Sequence, residues 1–117
     1  MQAAAADAFS QSWRGPARVT TAAAPTLAEG IATRTTFDLT FTLLKSQLDE
    51  VVTLEEEELR EGMRAALSRT HNLAEGAGAA ALAAARKLQF GRGTRVVCVM
   101  TGGNADARTL KSLIRVD

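Results

Sequence analysis

Val96-Val97-Cys98-Val99-Met100 followed by Thr101-Gly102-Gly103-Asn104 is the stretch on which the fold turns. Five apolar residues in a row, three of them β-branched, predict a strand buried on both faces, as in a parallel sheet. A loop leaving the carboxyl end of such a strand is where ligands sit in open α/β sheets, and its glycines let the backbone approach a flat ligand closely. The plain alternative for this loop is a glycine-rich turn that caps the following helix.

Upstream of the strand, residues 75–90 predict a helix. Gly76, Gly78 and an alanine series give it a surface of small residues that admits a neighbouring backbone, and Gly91-Arg92-Gly93 ends it. Downstream, residues 106–116 predict the last helix.

Further back, Phe37, Phe41, Leu44 and Leu48 recur at helical spacing, and Val51-Val52-Thr53-Leu54 predicts a strand. Thr53 with Glu56 three residues on fits a capping box. Glu55 to Glu58 then occupy a first helical turn, where the helix dipole favours negative charge; that accounts for the acidic run without a metal. Leu59, Met63 and Leu67 continue this helix on one face, and His71 falls where it should end. The first 25 residues are weakly patterned: residues 3–13 predict a short helix broken at Arg14-Gly15-Pro16, and residues 19–24 make a poor strand. Helices alternating with buried strands predict an α/β layer with a mostly parallel sheet.

Composition narrows the function. The 14 Lys and Arg nearly balance 13 Asp and Glu, which provides no basic field for nucleic acid, and the aromatics needed for base stacking are scarce, with no Tyr. No apolar stretch approaches the roughly 20 residues of a membrane helix. The amino terminus has no basic region ahead of an apolar core, so it does not read as a signal peptide. A single cysteine, Cys98, makes no internal disulfide and suits a reducing cytoplasm. Inside the predicted strand it reads as an inert core residue. Phe37, Phe41, Leu59 and Met63 likewise read as core. His71 has no partners at metal-ligand spacing and reads as a cation at a helix carboxyl end.

Three segments carry a resemblance: Thr26-Leu27-Ala28-Glu29-Gly30, His71-Asn72-Leu73-Ala74-Glu75-Gly76-Ala77-Gly78-Ala79, and Thr101-Gly102-Gly103-Asn104. With Asp49-Glu50-Val51-Val52-Thr53-Leu54-Glu55-Glu56-Glu57 between them, their order and spacing resemble the C-terminal part of pyridoxal-phosphate-dependent threonine/serine dehydratases, including serine racemases. The resemblance implies the C-terminal portion of a three-layer, mostly parallel-sheet cofactor-binding domain (fold type II), with residues 1–117 as a fragment of the large catalytic domain and no regulatory domain after them.

The resemblance also implies the site residues. Thr101 stands where the family usually has Ser, whose hydroxyl bonds the pyridine nitrogen of pyridoxal 5′-phosphate. A neutral partner there makes the ring a weaker electron sink and suits β-elimination. Gly102 belongs to the same loop. Glu75 falls near the pyridine edge, with an N-terminal helix carboxylate satisfied by the dipole as the plain alternative. Gly30 falls against one face of the ring, although a turn glycine explains it nearly as well. A cation site of many relatives aligns with residues 2–9, where Gln2 and Ala8 replace acidic positions and Asp7 alone offers too few oxygens for a hard cation.

The lysine motif that holds the cofactor, the phosphate loop and the Asn beside the ring hydroxyl do not occur in these 117 residues. Lys45, Lys87 and Lys111 lie on predicted helices without that motif. The expectation is ancestry in an ammonia-lyase that converts L-threonine or L-serine to a 2-oxo acid, in a chain without catalytic residues of its own and silent by itself. The alternative is a non-catalytic partner, either of a full-length relative in an oligomer or of a separate N-terminal segment. A third reading is the remnant of a degraded gene.

Overall fold

In the computed structural model, which describes residues 1–114, the chain builds a small parallel sheet against a pair of packed helices. Strand β1 (Gln2–Ala3) leads through a 3-10 turn (Ala4–Ala6) into α1 (Ala8–Arg14). A long connection contains a second 3-10 turn (Glu29–Ile31). Helix α2 (Asp38–Gln47), strand β2 (Thr53–Leu54), α3 (Glu56–Thr70), α4 (Gly76–Leu88) and α5 (Ala107–Leu113) follow. The two strands pair parallel, Gln2 with Thr53 and Ala3 with Leu54. The class is α/β.

Helix α4 lies at the centre because its alanines let neighbours come close on several sides. Ala77, Ala80, Ala83 and Ala84 pack with Ala3, Leu54 and Leu59, whereas Ala79 joins Met63, Ala66 and Leu113 in a second cluster. Gly62 of α3 makes the closest approach: a Cβ there would lie 2.8 Å from Ala83 Cβ and 3.0 Å from the Ala79 carbonyl oxygen. Small-residue contact thus does here what bulky side chains do in most helix pairs.

The boundaries of α3 correct the expected cap. Thr53 is committed to β2, so the capping box forms two residues later, between Glu55 and Glu58, with the Glu55 amide donating to Glu58 Oε2 at 2.8 Å. At its other end α3 closes on His71, which adopts the left-handed conformation at φ 55°. Helix α4 closes on Gln89 in the same conformation, ahead of the expected Gly91. The strand expected over residues 51–54 covers only its second half. The expected helix at residues 3–13 divides into β1, the 3-10 turn and α1. The last helix begins at an Asp106 cap, with Asp106 Oδ1 accepting from the Thr109 amide at 2.6 Å. Its expected end at Val116 lies outside the described residues.

The largest departure is the stretch at residues 96–100. It forms no strand, and Val97 and Val99 are 89% and 67% exposed. A strand exists by hydrogen bonds to a neighbour, and the β1–β2 pair, the only sheet among the described residues, does not extend to it. Cys98 is accordingly exposed, its thiol 3.6 Å from the Ala81 carbonyl oxygen, and is not a core residue. Phe37 is also exposed, so the expected apolar face of α2 reduces to Phe41, which meets the Phe9 ring edge-on at 5.6 Å. Leu67 is exposed as well, while Leu59 and Met63 are buried as expected.

Candidate functional site

Two loops converge on the amino end of α4. The first, Thr26-Leu27-Ala28-Glu29-Gly30, lies so close that a Cβ on Gly76 would strike Leu27, and one on Gly30 would lie 3.0 Å from Ala77 Cβ. The second, Thr101-Gly102-Gly103-Asn104, crosses the first turn of α4: a Cβ on Gly78 would fall on the Gly102 carbonyl oxygen, and one on Gly103 would reach the Leu73 carbonyl oxygen at 2.7 Å. Between the loops lies a cleft of about 420 Å³, walled by Gly30, Met63, Glu75, Asn104 and Asp106 among others.

Glu75 joins the second loop to α4 in two ways. Its amide donates to the Gly102 carbonyl at 3.1 Å, and its Oε2 accepts from the Asn104 amide, also at 3.1 Å. Its other oxygen lies against Gly102, where an added Cβ would collide with it. The carboxylate therefore has a backbone donor in place, which offsets part of its desolvation.

Glu56 does the corresponding work for the first loop. Its Oε1 accepts from the Thr26 hydroxyl at 2.5 Å and its Oε2 from the Leu27 amide at 3.0 Å, while Thr26 Oγ1 accepts from the Ala28 amide at 3.1 Å. Sequence reasoning assigned Glu56 to helix capping and missed this contact, which spans 30 residues. The shift of the capping box to Glu55 is what frees Glu56 for it.

The structure brings Gly30, Glu75 and Gly102 together. Neither Thr101, which is exposed, nor Gly102 forms part of the cleft wall; Gly102 borders it through Glu75. Met63, read as core, is both buried and part of the wall. Charge in the lining is acidic, from Glu29, Glu75 and Asp106, with no Lys or Arg among the described residues. The backbone amide of Thr109 holds the Asp106 carboxyl below its ordinary value, with the Thr109 side chain adding to it. The three lysines point elsewhere: Lys45 stands over the Phe41 ring, Lys87 bonds Glu58 and the Thr53 carbonyl, and Lys111 lies on α5 outside the cleft wall. Gln2 is buried and its Oε1 accepts from the Ser10 amide at 2.8 Å, so this side chain is committed to holding α1 on the sheet. No described helix is long and apolar enough to cross a membrane.

Residues 1–102 match the family described as pyridoxal-phosphate dependent enzyme. The chain is 40% identical over 90 residues to the L-threonine ammonia-lyase of Thermotoga maritima, a match covering 77% of this chain and 22% of that protein. It is 43% identical over 91 residues to the L-threonine ammonia-lyase of Geobacter sulfurreducens, covering 76% and 22%. Its fold superposes on the crystal structure of the T.th. threonine deaminase with a TM-score of 0.75 at 31% identity, over 89% of this chain and 38% of that one. On the processed form of threonine deaminase isoform 2 from Solanum lycopersicum the TM-score is 0.86 at 21% identity, over 95% and 33%, a likeness that bears on the fold alone. The chain belongs to the pyridoxal-phosphate-dependent enzyme family, as a threonine/serine dehydratase-like domain in part. The cofactor of that family is pyridoxal 5′-phosphate. The chain spans 22% of the length of the two ammonia-lyases it matches.

Proposed function

We propose that this chain forms the C-terminal part of the catalytic domain of a threonine/serine ammonia-lyase and supplies the ring-facing wall of its cofactor cleft. The observation that carries the reading is the meeting of Gly30 and Gly102 on the Glu75 carboxylate, at a cleft that Gly30 and Glu75 line, in a chain of this family. The donor set fits the ring end of pyridoxal 5′-phosphate. A lining that has carboxylates and, among the described residues, no Lys or Arg would repel a phosphate, which leaves the ring end of the cofactor as the part that faces it. When bound, the cofactor supplies an electron sink for the α-carbon of the amino acid.

The chain's own residues bind and orient. By its likeness to the family Thr101 would present its neutral hydroxyl to the ring nitrogen from beside the cleft and not from its wall, so that position carries no negative charge to hold a proton there. Gly102 would border the ring, because Glu75 holds the Gly102 carbonyl and the Asn104 amide on α4. Glu75 is then a positioning residue for this loop. Gly30 forms part of the wall, where an added Cβ would sit tightly, 3.0 Å from Ala77 Cβ. The covalent lysine and the phosphate loop belong to a segment outside these residues, and the exposed stretch at residues 96–100 is the face on which that segment would add strands. The same exposed face favours the second reading, a non-catalytic subunit that assembles with a relative.

Deamination of L-threonine and L-serine tests the choice, measured for the chain alone and for the chain mixed with the N-terminal portion of a threonine ammonia-lyase. The expected result is no 2-oxo acid from the chain alone and recovered turnover on mixing. Turnover by the chain alone, or a stable mixture without turnover, overturns the proposal.

A further inference from the structure

We infer that Glu56, with Thr26, is a positioning residue for the cofactor cleft: its carboxylate sets the height of the loop that carries Gly30. This rests on reading the cleft as the ring-facing wall, and it concerns a residue that wall does not contain. Glu56 accepts two hydrogen bonds from the loop, one from the Thr26 hydroxyl and one from the Leu27 amide. The Thr26 oxygen in turn accepts from the Ala28 amide, so one carboxylate orders three consecutive residues. Immediately after them come Glu29 and Gly30, which with Leu27 wall the cleft.

Apart from Glu56 the loop is held by packing, with Leu27 against Gly76, Ala28 in the core and Ile31 packed against it. It contains no helix or strand before the single 3-10 turn at Glu29–Ile31, closed by the Ile31 amide on the Ala28 carbonyl at 3.0 Å. Ala28 is fully buried, so displacement of the loop would have to withdraw a packed side chain. Glu56 itself is anchored by the first turn of α3, a 15-residue helix packed along α4. A rigid helix thereby dictates the position of an irregular segment through charge-assisted hydrogen bonds. Gln at position 56 keeps the shape but cannot accept at both atoms, and Val at position 26 keeps the bulk but removes the hydroxyl.

The test is binding of pyridoxamine 5′-phosphate, which keeps the ring and cannot condense with lysines, to the chain mixed with the N-terminal portion of a threonine ammonia-lyase, with the wild-type chain and with E56Q, T26V and T26S. Amide exchange at Leu27 and Ala28 is followed in the same samples. E56Q and T26V should weaken binding about tenfold and speed exchange at both amides, with the urea midpoint of α3 and α4 unchanged. T26S, which keeps the hydroxyl, should match the wild type in both. Faster exchange with undiminished binding, or binding lost in T26S as well, overturns the inference and leaves the cofactor reading intact. A wild-type mixture without saturable binding overturns the cofactor reading and this inference together.

Discussion

At the residue scale, Glu75 illustrates why two simple readings of one carboxylate need not compete. It sits at the amino end of α4, where the dipole favours it, and it also accepts from the Asn104 amide across the loop. Gly102 is the complement of that arrangement, since any side chain there meets Glu75 Oε1. Gly102→Ala should displace the carboxylate, release the Asn104 amide and lower stability by about 1–3 kcal/mol. Amide exchange at Asn104 and a urea titration read both effects. Unchanged exchange would mean that the loop accommodates a methyl group by moving as a whole.

At the element scale, α3 and α4 are joined by small-residue contact along their length and by an ion pair near one end. Glu58 Oε2 accepts from the Lys87 ammonium at 2.9 Å while also capping Glu55. The Lys87 hydrogen bond is the main reason the Glu58 carboxyl lies below its ordinary 4.5, with the Glu55 amide contributing. Because the folded chain gives up this proton more readily than the unfolded one, the contribution is fully present above pH 4.5 and is lost as the pH falls through the lower folded value. The pair is partly exposed, so its worth is under about 1 kcal/mol. Lys87→Met should therefore flatten the acid limb of stability modestly, seen as a smaller drop in urea midpoint between about pH 6 and about pH 3.5. An equal drop in both proteins would show that the pair adds nothing.

At the scale of the whole molecule, residues 96–100 leave apolar side chains in water on a chain whose sheet has two strands. Exposed β-branched stretches of this kind recruit other chains. Sedimentation velocity should show concentration-dependent association of the isolated chain, and Val97→Lys with Val99→Lys should abolish it. The double variant should also fail to restore turnover when mixed with the N-terminal portion of a threonine ammonia-lyase. A monomeric wild-type chain would instead mean that Cys98 and Met100, which line a small cavity against α3 and α4, suffice to hold the segment down.

What the sequence determined by itself was local and periodic. The helical spacing of Leu59 and Met63, the alanine series of α4, the acidic first turn of α3 and the glycine loops are all legible because each depends on neighbours within a few residues. The order of the motifs along the chain carried the family, and it named Thr101, Gly102, Gly30 and Glu75 as candidates before any geometry was known. Tertiary structure alone decided three things. It placed the capping box at Glu55, because β2 had already claimed Thr53 by pairing with Gln2. It freed Glu56 to hold a loop 30 residues away, a contact no local pattern encodes. It also left residues 96–100 unpaired: their composition specifies a buried strand, but burial and pairing require a neighbouring strand that local sequence cannot supply.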